Sequence, residues 1–219
     1  MAYNPNIHHR QSIRLKGYDY SQAGLYFITI CTQNRACLFG EIVGGQMVLN
    51  VFGEIAIDEW EKTEKIRENC RIYESIIMPN HMHGIIEITH KQGSEREIGK
   101  FESPSQTIGA IIRGFKIATI KRIKEHLLKN REEIAPAQRT GELQFAPAEF
   151  APEEFAPTEF APTEFASEEF APAEKIKALD FKIWQRNYWE HIIRNDNEYQ
   201  RISQYIINNP QQWENDKLK

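Results

Sequence analysis

Cysteine is scarce in this chain of 219 residues. Cys31, Cys37 and Cys70 are odd in number and form no CxxC pair. That argues against a disulfide framework and a cysteine-based zinc site, and favours reduced structural thiols. Long apolar runs are missing too. Nothing approaches the ~20 residues that a membrane-spanning helix needs. The opening stretch, MAYNPNIHHRQSIRLKGYDY, is polar and lacks the apolar centre of a secretory signal. The expectation is a soluble, cytoplasmic protein with no membrane partner. No GxxxxGK[ST] loop occurs, so no P-loop nucleotide chemistry is implied.

One stretch has no cations at all. Residues 145–174 hold eight glutamates and neither lysine nor arginine. Removing those eight charges from the formal −4 leaves the remainder at +4, compatible with a nucleic-acid partner. The same stretch is a pentapeptide repeat: FAPAE, FAPEE, FAPTE, FAPTE, FASEE, FAPAE. A period of five fits neither a helix face nor a strand, and recurrent proline bars a long helix. It reads as a disordered, acidic, polyproline-leaning insert. The alternative is a docking tail that uses its evenly spaced phenylalanines. The expected organisation is one domain from residues 1–144 and 175–219, interrupted by 145–174.

Elsewhere the pattern is globular. Residues 24–32, GLYFITICT, are aromatic and β-branched and predict a buried strand. Residues 38–50 predict a short strand or hairpin turning at Gly44-Gly45. Residues 51–67 predict a helix. Residues 73–89 predict two strands joined at Pro79-Asn80, and 91–104 a loop. Residues 106–128 predict a long helix. Its apolar side holds Ile108, Ile111, Ile112, Phe115, Ile120 and Ile123. Arg113, Lys116, Lys121, Arg122 and Lys124 lie on the other. Residues 179–184 predict a strand, and 195–208 a helix stopped by Pro210. This order predicts an α+β domain, an antiparallel sheet with helices on one side.

Three groups of residues bear on chemistry. His81-Met82-His83 puts two imidazoles on one face of a strand, half of a divalent-metal site. Read alone, such a pair is more often incidental. Tyr205 and Asn209 lie one turn apart on the last helix. A tyrosine becomes a nucleophile when it loses its proton and a metal polarises the electrophile, and an amide oxygen suits a hard cation. They also fit a packing stripe with Ile202 and Ile206. Residues 184–191, WQRNYWEH, mix aromatic and basic groups as base-stacking, phosphate-holding surfaces do. Arg186 there, and Arg194 just beyond it, are phosphate contacts if the segment lines a DNA channel, while Tyr188, Trp189 and His191 fit a core equally well.

Taken in order, IMPNHMHGII, WQRNYWEHIIRN and YIINNP resemble the HUH single-tyrosine transposases, most of all the branch associated with repetitive extragenic palindromes. The likeness spans roughly residues 10–92, 106–125 and 176–213. It implies a ferredoxin-like or RRM-like α+β domain, with the histidines on a central strand. It implies Tyr205 as nucleophile and His81, His83 and Asn209 as ligands of Mg²⁺ or Mn²⁺. Better-studied relatives carry glutamine in the place of Asn209.

The resemblance also implies a substrate and a product. The enzyme nicks single-stranded DNA beside a hairpin, leaving a 5′-phosphotyrosine link and a free 3′-hydroxyl, and rejoins the strand without ATP. Arg10, Arg14 and Lys16, with Arg113 and Lys116 on the long helix, are candidates to hold the DNA backbone. The chain is expected to act as a monomer or homodimer. The alternatives are a non-cutting DNA- or RNA-binding protein of this fold, or a protein whose histidines bind metal for stability only.

Overall fold

The computed structural model describes residues 22–89, 107–134 and 167–219. Arg10, Arg14, Lys16, the loop expected at 91–104 and most of the pentapeptide repeat lie outside them.

Among the described residues, six strands and four α-helices follow one another: β1 (Gly24–Cys31), β2 (Gly40–Val43), β3 (Gln46–Leu49), α1 (Val51–Ile66), β4 (Cys70–Ile77), β5 (His81–Ile88), α2 (Ile108–Ile134), α3 (Ser167–Ala178), β6 (Trp189–Ile193) and α4 (Asp196–Asn208). β2 and β3 form a separate hairpin. The main sheet runs β4-β5-β1-β6, with every neighbouring pair antiparallel. Without the hairpin, α3 and α4, the order is βαββαβ. The long connections cross over so that β5 lies between β1 and β4. This is the split βαβ arrangement of ferredoxin-like domains. The α+β expectation and its ferredoxin-like form both hold.

The strands alternate their faces with period two. From β1, Tyr26, Ile28 and Ile30 point to one side, where they join Met82, Ile86 and Ile88 of β5. α1 and α2 cover that side with Phe52, Ile55, Trp60, Ile108, Ile111, Ile112, Phe115 and Ile123. Each such side chain, fully buried, contributes about 1.5–3 kcal/mol. Phe27 and Ile85 point to the other side, where they pack on Ile202 and Ile206 of α4. The helices therefore lie on both faces, not on one as expected. The amphipathic stripe of α4 needs an apolar partner, and the odd-numbered residues of β1 supply it.

A hairpin turn, a close contact and two helix caps show local causes. Gly44 and Gly45 adopt φ of 58° and 78°, which glycine takes without steric cost, and they close the hairpin as expected. Gly84 lets Trp60 approach the sheet closely, since a Cβ there would come 2.6 Å from its Cζ2. Asn50 caps α1 through Phe52 N–H and Gly53 N–H, and Asn195 caps α4 through Glu198 N–H.

Two expectations fail around α3. Residues 179–184 form no strand. Asp180 and Phe181 take positive φ as the chain leaves α3, and Phe181 N–H donates back to Ile176 O. Only Trp184 makes a bridge, to Thr32, while Ile183 and Trp184 plug the core. The edge strand is β6 instead. The reading of the insert as disordered through residue 174 also fails at its end. α3 starts at Ser167 and accommodates Pro172, and Ala173 and Ile176 enter the core.

Candidate metal and tyrosine site

The site forms where β5, α4 and the C-terminal segment meet. β5 opens with His81 directly after the Pro79-Asn80 turn, and Met78 N–H donates to His81 O. Strand alternation turns His81 and His83 to the α4 face, 0% and 1% exposed. Their ring centroids are 4.7 Å apart.

Each imidazole is fixed through its Nδ1. Asn80 Nδ2 donates to Leu218 O at 2.8 Å, so Asn80 Oδ1, 2.7 Å from His81 Nδ1, is the acceptor of the ring N–H. That leaves a lone pair on His81 Nε2. His83 Nδ1 lies 2.8 Å from Thr29 Oγ1. With the ring N–H on Thr29, His83 Nε2 accepts the Tyr205 hydroxyl at 3.3 Å. Such partners behind an imidazole set its tautomer and aim its other nitrogen.

Burial lowers the proton affinity of both rings. His81 falls to about 4, chiefly through loss of solvent, partly offset by Asp216 and Asn209. His83 falls well below 6.5 through burial and the neighbouring His81. Both are neutral at pH 7, the form in which imidazole ligates metal.

Oxygen donors face these nitrogens. A 3₁₀ turn (Pro210–Asn215) follows α4 and returns the chain to the histidines. Asp216 Oδ1 accepts Leu218 N–H at 2.7 Å, while Oδ2 is buried without a hydrogen bond and lies 3.7 Å from His81 Nε2. The ligating atoms of His81, His83 and Asp216 are all within 4.8 Å of one another. Asn209 is 2% exposed, its Oδ1 also lacks a hydrogen bond, and its amide influences the proton affinity of both His81 and Tyr205. Buried donors with no partner are costly unless something else satisfies them. A divalent cation fits this set of two nitrogens and two oxygens.

Tyr205 stands beside these groups, 41% exposed, with its ring 5.1 Å from that of His83. Burial and Asp216 raise its pKa, and Asn209 opposes them. The other tyrosine of α4, Tyr199, faces elsewhere. Its hydroxyl donates to Glu74, and its pKa rises to about 12. A cleft of about 690 Å³ opens in front of Tyr205, lined among others by Thr29, His83, Asn187, Trp189, Asn209 and Asp216.

The structure thus brings together His81, His83, Tyr205 and Asn209. It does not bring Arg113 to this cleft, since that side chain is exposed on α2. Arg186 and Arg194 are exposed, Arg186 between cleft residues Gln185 and Asn187. Lys116 is half-buried, its Nζ donating to the carbonyls of Gln185 and Asn187 at 2.8 and 3.2 Å and lying 3.4 Å from that of Arg186. Sequence reading missed Asp216. No spacing pointed to it, because an irregular turn carries it back to the histidines.

Fold and site define an α+β domain whose sheet carries a histidine pair, with a carboxylate and a tyrosine converging on it. The chain is 37% identical over 229 residues to an uncharacterised protein of Haemophilus influenzae (strain ATCC 51907 / DSM 11121 / KW20 / Rd), covering 99% of this chain and 96% of that one. It belongs to the same family as that protein. No known family profile matches it. Among solved structures, the REP-associated tyrosine transposase bound to a REP hairpin is 16% identical, covers 90% of this chain and 73% of its own, and has a TM-score of 0.46. A crystal structure from Deinococcus radiodurans R1 is 12% identical, covers 90% of this chain and 97% of its own, and has a TM-score of 0.39. Likenesses at this level decide neither fold nor chemistry.

Proposed function

We propose that this protein is a metal-dependent enzyme that nicks and rejoins single-stranded DNA with a tyrosine nucleophile, as HUH single-tyrosine transposases do. One observation carries the reading. Tyr205 lines a cleft together with His83, Asn209 and Asp216, and there Asn209 Oδ1 and Asp216 Oδ2, with His81 Nε2 buried beside Asp216, have no hydrogen bonds.

His81, His83 and Asp216 would hold Mg²⁺ or Mn²⁺, with Asn209 as a further oxygen donor. When bound, such an ion supplies charge stabilisation on a non-bridging phosphate oxygen. Thr29 and Asn80 keep the two imidazoles oriented. Tyr205 Oη forms a bond to phosphorus as the phosphorus–O3′ bond breaks. The phenol gives up its proton, and the leaving oxygen becomes a 3′-hydroxyl. The 5′-phosphotyrosine link retains the strand for rejoining. The substrate is single-stranded DNA next to a hairpin, contacted along its backbone by Arg186 and Arg194.

A sheet that reads RNA in the RRM manner needs aromatic residues open on its face. Here α4 covers Phe27, Ile85 and Ile193 of that face and leaves Trp189 open on the edge strand, so the central strands offer no RRM-type platform. Among the described residues, no helix is long and apolar enough to cross a membrane.

The test is covalent capture. Labelled single-stranded hairpin DNA from the repeats flanking the gene is incubated with protein and Mg²⁺ or Mn²⁺, then run on a denaturing gel. The expected result is a metal-dependent adduct that Tyr205→Phe and His81→Ala abolish. An adduct that survives Tyr205→Phe overturns the nucleophile. Tight binding with no adduct under either metal favours the non-cutting DNA-binding alternative.

A further inference from the structure

We infer that Trp189 is a stacking platform for a nucleobase adjacent to the scissile phosphate. The inference rests on the DNA-nicking reading and adds a substrate contact to it.

Trp189 is 44% exposed, whereas Trp60, Trp184 and Trp213 are 0%, 6% and 8% exposed. An indole left open on the wall of a cleft is not there for core packing. Strand register fixes its place. Trp189 pairs with Thr29, and Thr29 pairs with His83, so all three share one face of the sheet. Trp189 and His83 are two inter-strand spacings apart, roughly 10 Å. The indole is thus close to Tyr205 but outside the donor set.

The ring is also braced. One face lies parallel to His191, at 4° and 5.7 Å between centroids. It also makes a T-shaped contact with Phe27, at 5.5 Å and 76°. His191 Nε2 is held 2.6 Å from Glu198 Oε1, and Glu198 Oε2 accepts Arg194 N–H at 2.9 Å. That carboxylate, in the first turn of α4, ties β6 to the helix carrying Tyr205. A pre-positioned aromatic loses little freedom when a ligand stacks on it. A flat ring matches this surface, and every nucleobase has a π-face to offer. The cleft falls within the size range of small-ligand sites.

The experiment uses the full chain with Tyr205→Phe, which removes the nucleophile, in the presence of Mn²⁺. A short oligodeoxyadenosine strand and the same strand built from abasic spacers are titrated. Tryptophan fluorescence and anisotropy report binding. The expected result is quenching by the base-bearing strand, which binds roughly 5- to 100-fold tighter than the abasic one. Adding Trp189→Ala should remove both the quenching and the preference. Trp189→Phe should keep most of the preference, which rules out general unfolding. If Trp189→Ala keeps the full preference, the platform is overturned and the DNA-binding reading stands. If neither strand binds even with Trp189 present, that reading falls, and the platform with it.

Discussion

Asp216 Oδ2 stops 3.7 Å from His81 Nε2, too far for a hydrogen bond, and is buried with no other hydrogen-bond partner. Without a cation, a carboxylate in that position opposes folding. Asp216→Asn removes the charge and offers an N–H towards His81. We expect the metal-free variant to be more stable than the native protein by about 1 kcal/mol. The gain in Tm that Mn²⁺ gives the native protein should shrink sharply in the variant, since a ligand that binds only the folded state stabilises it by mass action. Paired thermal melts with and without Mn²⁺ decide this. A variant that melts earlier without metal and gains as much from Mn²⁺ would remove Asp216 from the ligand set.

The two imidazoles set a pH dependence. His81 is pushed to about 4 and His83 well below 6.5, both mainly by burial. In the unfolded chain each takes up a proton near 6.5. Between pH 6.5 and about 4 the unfolded state therefore binds more protons than the folded one. Stability is complete above 6.5 and declines as the pH falls through that window. Melts in metal-free buffer at a series of pH values should show the decline. His81→Asn with His83→Asn should flatten it. An equal slope in that double variant would assign the decline to other groups.

Gly84 permits the contact that shapes the sheet beside His83. A methyl group there would lie 2.6 Å from Trp60 Cζ2 and 3.1 Å from its Cε2. Trp60 is fully buried and also packs edge-on against Phe115, 5.2 Å away, so it has little room to yield. Overpacking of this kind costs about 1–3 kcal/mol. Gly84→Ala should lose that much in urea unfolding. A loss below about 0.5 kcal/mol would mean that Trp60 shifts freely.

The repeat divides into two parts with different expected roles. We propose that residues 145–166 are a tolerated insertion, so that deleting them leaves Tm and nicking unchanged. Extending the deletion to Glu174 also removes the first turns of α3 and, with them, Ala173 of the core. That longer deletion should lower stability by at least about 1 kcal/mol. Loss of nicking in a folded 145–166 deletion would instead give the repeat a part in the reaction.

How far the sequence could be read depended on local pattern. β1 and the β4–β5 pair were legible as apolar, β-branched runs between turn residues, the β2–β3 hairpin from Gly44-Gly45, and α1, α2 and α4 from helical spacing. The histidine pair and Tyr205 with Asn209 were legible because each lies within one regular element, where spacing fixes the facing. β6 was hidden because its best apolar neighbours, Ile183 and Trp184, serve the core from an irregular segment. Coverage of both sheet faces was hidden because strand alternation shows two surfaces without saying what fills each. Asp216 was hidden for a similar reason, since it reaches the site through tertiary return of the chain.

Lys116 separates a structural from a DNA-binding role. Sequence reading offered it as a phosphate contact, yet its ammonium donates to two backbone carbonyls, of Gln185 and Asn187, and lies 3.4 Å from that of Arg186. Burial lowers its pKa to about 8, so it is mostly charged at pH 7 and tied to the segment that walls the cleft. Lys116→Met should lower stability by about 1–2 kcal/mol, because those carbonyls lose a charged donor. It should leave the salt dependence of single-stranded DNA binding unchanged. Arg186→Met is the contrast, since that side chain is exposed beside the cleft. It should leave stability alone and reduce the slope of log K against log salt by about 1. Measuring both variants by thermal melting and by salt-dependent anisotropy assigns the two roles. If Lys116→Met changes the slope and Arg186→Met does not, Lys116 leaves the carbonyls to meet the DNA and the roles are reversed.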